Sequence, residues 1–100
     1  MFYFSTKKQS PDVTLQEALF RGLPPDNGLY MPKAIPKLPK HFFDELGQFS
    51  LPEIGYEVSK ALLHGEVPDA ALQTIVSAAL NFDTPLVRLN DNTAVLELFH

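Results

Sequence analysis

The chain has 100 residues and a formal net charge of −4, with 45% hydrophobic and 20% charged residues. This is the size and make-up of one small globular domain that can bury one modest core. The acidic balance excludes nucleic acid and anionic membrane as expected partners, because both require clustered Lys and Arg. The lack of cysteine excludes a disulfide framework, a thiolate zinc site and a cysteine nucleophile.

Phe2 to Thr6 is a short aromatic and β-branched run and predicts a strand, broken by Ser10-Pro11-Asp12. Thr14 opens a helix with a capping box, since Glu17 stands three residues on. Leu15, Ala18, Leu19 and Leu23 share one face of that helix, and Gly22 is its natural stop. Pro24-Pro25-Asp26-Asn27-Gly28 is a dense turn signal in which Asn27 and Gly28 both tolerate positive φ; Leu29-Tyr30-Met31 follows. Pro32, Pro36 and Pro39 keep the next segment extended or irregular. Lys33, Lys37 and Lys40 are spread through it as a solvated loop face. A short helix through Phe42, Phe43 and Leu46 is closed by Gly47.

Ser50 begins a second capping box, with Pro52 in the first turn and Glu53 in the third position. Leu51, Ile54, Val58, Ala61 and Leu62 follow at helical spacing up to Gly65. Pro68 starts another helix with the stripe Leu72, Ile75, Val76, Ala79 and Leu80, and the short link predicts antiparallel packing. After Asn81 the period changes. Pro85 to Leu89, the turn Asn90-Asp91-Asn92 and residues 93–100 predict a C-terminal β-hairpin. Helices and strands are segregated rather than alternating, so the predicted class is α+β: three to four short helices with a few short strands.

No complete active site is present in the pattern. There is no Gly-rich phosphate loop, no pair of histidines at metal-ligand spacing and no nucleophile elbow. His41 belongs to a helix start and is expected at the surface, and His64 before Gly65 suits a helix C-terminus. Glu53 is explained by its cap, so its spacing from Glu57 does not indicate a carboxylate pair. Glu97 and His100 are three apart in a strand pattern and are expected on opposite faces of the sheet. No segment reaches the roughly 18–20 apolar residues of a membrane span, and Met1 to Lys8 lacks the form of a secretory signal. Cytosol is therefore the expected location.

Three segments resemble one family. Leu96-Glu97-Leu98-Phe99-His100 resembles the lead-in to the cofactor-lysine motif of threonine synthase, which continues with Gly-Pro-Thr and then the lysine that binds pyridoxal phosphate. Phe4-Ser5-Thr6 is similar to that family's opening. Glu17-Ala18-Leu19, Gly22-Leu23 and Asp26-Asn27-Gly28-Leu29-Tyr30-Met31-Pro32 are similar to its early signature, with Asn27 where glycine is common.

The resemblance implies the amino-terminal domain of a pyridoxal-phosphate lyase that converts O-phospho-L-homoserine to L-threonine and phosphate. Residues 1–100 are then an incomplete domain whose strand 93–100 leads into the catalytic domain, its implied partner. None of Lys7, Lys8, Lys33, Lys37, Lys40 or Lys60 stands in the cofactor motif, so this stretch is expected to be inactive alone, with no catalytic residue, metal or cofactor of its own. Phe99 and His100 are implied to lie near the cofactor site of the full enzyme, Glu97 to be structural, and Asp26, Gly28 and Tyr30 to shape a turn. Two other readings stand beside this one: a homologue acting on a related phosphorylated substrate, and a non-catalytic interaction module.

Overall fold

The computed structural model describes residues 2–100. Its elements in order are β1 (Tyr3–Ser5), α1 (Leu15–Arg21), β2 (Tyr30–Pro32), α2 (Lys40–Asp44), one 3-10 turn (Leu46–Gln48), α3 (Leu51–Leu63), α4 (Asp69–Ala79), β3 (Leu86–Asn90) and β4 (Thr93–Leu96). This is the expected α+β arrangement, with two separate two-stranded antiparallel ladders.

Both capping boxes form. Glu17 N–H donates to Thr14 Oγ1 at 3.2 Å while Thr14 N–H donates back to Glu17 at 2.9 Å. Ser50 and Glu53 repeat the exchange at 3.3 and 3.0 Å. Each box satisfies two of the amides that a helix start leaves without partners. Gly22 closes α1 with φ 76°, and His64 closes α3 in the left-handed region at φ 50°. The helix predicted through Leu46 is shorter than expected. α2 ends at Asp44, and the chain tightens into the 3-10 turn that contains Gly47.

β1 lies between two partners. It pairs with β2 in the register Tyr3↔Pro32, Phe4↔Met31 and Ser5↔Tyr30, and Tyr3 exchanges two backbone hydrogen bonds with Val13 on its other side. Tyr3 and Val13 are buried as a result. The Tyr3 hydroxyl donates to the Leu62 carbonyl at 3.1 Å, one of the acceptors left open at the end of α3. Burial, with Glu66 adding to it, raises the Tyr3 pKa above its ordinary value. The Tyr30 hydroxyl is buried without a hydrogen-bond partner among the described residues.

α3 and α4 pack closely where Gly55 meets Val76 and Leu80, leaving no room for a side chain at residue 55. Lys60 near the end of α3 pairs with Asp69 at the start of α4, so the two helices run antiparallel as expected. Leu72 and Val76 are buried, but Ile75 is 55% exposed, so only part of the α4 stripe is covered. Phe42 forms a small aromatic core, edge-on to Phe43 and stacked with Phe49 at 5.7 Å.

The hairpin has the register Leu86↔Leu96, Val87↔Val95 and Arg88↔Ala94, with an irregularity before Asn90↔Thr93; its turn is Asp91-Asn92, one residue shorter than expected because Asn90 pairs as the end of β3. Its far strand is shorter than predicted. Glu97 N–H still donates to the Pro85 carbonyl at 2.9 Å, but Pro85 has no N–H to return, and the ladder stops there. Directly opposed residues share a face, so Leu86 with Leu96 and Val87 with Val95 put an apolar pair on each face. All four are exposed. The Cα radius of gyration is 16.7 Å, against about 13 Å for a compact domain of this length.

Candidate functional site

Two places gather the residues singled out from the sequence. The first is the loop that joins α1 to β2. Asp26 is its hub: Oδ1 accepts from Ser5 Oγ at 2.6 Å and from Gly28 N–H at 2.9 Å, and Oδ2 accepts from Gln9 N–H at 3.0 Å. Asp26 N–H donates to Ser10 Oγ at 3.2 Å, and Lys7 N–H donates to Ser5 Oγ at 3.2 Å. The Ser5 hydroxyl beside it holds the Asp26 carboxyl down at a pKa of about 2, helped by the Gly28, Ser10 and Gln9 groups. Asn27 takes the positive φ of the turn, 64°, and Gly28 does not. The glycine at residue 28 is required by space instead: a Cβ there would run into Ser5 Oγ, Thr6 Oγ1 and Asp26 Oδ1.

Of the three residues expected to shape this turn, Asp26 organises it, Gly28 serves it by leaving space rather than by its φ, and Tyr30 lies beyond it in β2. Sequence reading missed the buried Ser5 hydroxyl as the partner of Asp26 and Ser10 as its second support. It also missed Lys8, which holds φ 58° beside them. A hydrogen bond between residues 21 apart leaves no local signal.

The second place is the segment after β4. Expectation put Glu97 and His100 on opposite faces, and the structure brings them together, with His100 Nε2 3.1 Å from Glu97 Oε1. Two-residue alternation holds only within a strand, and β4 ends at Leu96, so the spacing of three no longer separates the side chains. The Phe99 and His100 rings lie 4.5 Å apart, and Phe99 is 77% exposed.

The lysines among the described residues do not have the surroundings that a pyridoxal-phosphate Schiff base needs. A Schiff-base lysine needs a neutral amine held in an apolar pocket or beside another cation. Here Lys33 pairs with Asp12, Lys40 with Asp44 at 2.7 Å and Lys60 with Asp69 at 3.6 Å, and Lys7, Lys8 and Lys37 are exposed. Asp69 raises the Lys60 pKa, the opposite of what that chemistry requires. Among the described residues no group of three or more His, Cys, Asp or Glu could hold a metal ion. No helix among them is long and apolar enough to cross a membrane.

These features define a small α+β domain with a wired N-terminal loop and an uncovered hairpin. Residues 2–80 match the family described as Threonine synthase N terminus, and the chain belongs to the threonine synthase family. It is 36% identical over 100 residues to the threonine synthase of Haemophilus influenzae, covering all of this chain and 23% of that protein. Threonine synthase-like 2 of Homo sapiens is 31% identical over 106 residues, covering all of this chain and 22% of that protein. The crystal structure of threonine synthase from Escherichia coli superposes with a TM-score of 0.87 at 26% identity, and the pyridoxal-phosphate-bound threonine synthase of Brucella melitensis with 0.86 at 34%. In both comparisons the match covers the whole chain and 23% of the solved one. The chain thus spans less than a quarter of the relatives it matches.

Proposed function

We propose that this chain is the amino-terminal part of a cytosolic, pyridoxal-phosphate-dependent carbon–oxygen lyase that converts O-phospho-L-homoserine and water to L-threonine and phosphate. In this reading the chain supplies packing and approach rather than chemistry, and its partner is the catalytic domain of the same enzyme. The observation that carries the reading is the hairpin. Both of its faces present apolar pairs to solvent, the pattern of strands made to be covered on two sides. The tail that follows would bring Phe99 and His100 to the wall beside the cofactor, with Glu97 orienting the His100 ring through its 3.1 Å contact.

The test is made on the whole parent protein supplied with pyridoxal phosphate. Phosphate release and threonine formation from O-phospho-L-homoserine should appear together. Phosphate release with a different organic product would favour a homologue with another substrate, a reading supported by the likeness to Threonine synthase-like 2. No binding of the cofactor would refute the proposal. A His100→Ala parent should bind the cofactor with an altered absorbance band; an unchanged band and unchanged kinetics would remove His100 from the site.

A further inference from the structure

The cleft beside β1 is not used in that proposal. It is an open depression of about 460 Å³ lined by Phe4, Ser5, Lys8, Ser10, Asp12 and Lys33. Its volume lies within the range of small-molecule sites. Lys33 on one wall is neutralised by Asp12. Lys8 on the other makes no ion pair among the described residues. The nearby carboxylate that could have served it, Asp26, has its oxygens taken by Ser5, Gln9 and Gly28. Lys8 also keeps a left-handed backbone, φ 58°, secured by its N–H donating to the Ser5 carbonyl at 2.9 Å. A residue with a side chain pays for that conformation where glycine would not. Ser10 Oγ accepts from the Asp26 amide, and its hydroxyl is turned to the Asp26 carboxylate, so Lys8 is the group left to meet a ligand.

We propose that this cleft binds a small organic anion, a phosphate ester or a carboxylate, through the Lys8 ammonium, with Phe4 against its carbon stem. The bond from the buried Ser5 hydroxyl to Asp26 holds the floor rigid, so the backbone that carries Lys8 is positioned before the ligand arrives. One ammonium on an open surface gives a weak site, with a dissociation constant on the order of 1 mM or weaker.

The test is an amide-shift titration of the 15N-labelled protein with inorganic phosphate and, separately, with butyrate, ionic strength being held constant with chloride. The Ser5, Lys8 and Ser10 amides should move and saturate with at least one anion, and the tighter of the two identifies the head group. Lys8→Gly suits the positive φ and removes only the side chain. It should stay folded and bind at least tenfold more weakly. Linear, unsaturated shifts in the unmodified protein, or unchanged binding in Lys8→Gly, would overturn the assignment.

Discussion

Gly28→Ala is the sharpest probe of how the loop is built. The residue has no positive φ to defend, so a purely conformational account predicts a gain, about 0.4–1 kcal/mol from the stiffer unfolded chain. The structure predicts a loss. The new Cβ meets Thr6 Oγ1 at 2.9 Å, Asp26 Oδ1 at 3.0 Å and Ser5 Oγ closer still. Ser5 cannot yield into solvent, because it is fully buried between β2 and the loop. Overpacking of this kind costs about 1–3 kcal/mol, and stranding the Ser5 hydroxyl costs about 1–3 kcal/mol more if its bond breaks. With partial relaxation the net is a destabilisation of about 2 kcal/mol, or roughly 10 °C in Tm for a domain this small. Thermal unfolding followed by circular dichroism measures it. Gly47→Ala is the internal control, since a Cβ there meets open space at ordinary φ. The reasoning is refuted if Gly28→Ala melts at or above the parent temperature while Gly47→Ala behaves as expected, neutral to slightly stabilising.

Other outcomes follow from the same contacts. Asp26 has its folded pKa lowered from 3.8 to about 2, so its contribution is complete above pH ~4 and is lost as pH falls through about 2. Acid titration of the unfolding midpoint should show that loss in the native chain, and Asp26→Asn should flatten it. Ser50→Ala removes one capping box and should cost about 1 kcal/mol in chemical denaturation, with the slope unchanged. The hairpin should make the chain self-associate, and Val87→Lys should reduce the sedimentation-derived mass at high concentration without lowering Tm, because Val87 is already partly open to water.

What could be read from the sequence divides by range. Thr14 with Glu17, Ser50 with Glu53, and the reversal at Asp91-Asn92 are settled by neighbours three or four residues away; both boxes formed as expected, and the reversal formed with Asn90 taken into β3. The face of α1 was legible as a pattern but not as a burial. Leu19 is 71% exposed although it sits on the apolar stripe, because periodicity states which residues seek cover and not whether the cover is at hand. Glu97 and His100 were misplaced because the strand's end depends on its partner, and Pro85 sets it from across the hairpin. Ser5 with Asp26 was invisible for a similar reason: two common polar residues 21 apart carry no spacing rule. The family's early block was recognisable in letters. That Gly28 serves packing while Asn27 serves the turn could be seen only in three dimensions.

The bond from the Tyr3 hydroxyl to the Leu62 carbonyl also orders events in time. The two residues are 59 apart, and chains are made at about 5–20 residues per second, so the first strand waits roughly 3–12 s on the ribosome before its hydroxyl has an acceptor. Val13 and β2 are synthesised earlier and can shelter Tyr3 in the interval. Tyr3 thus marks when α3 has been completed.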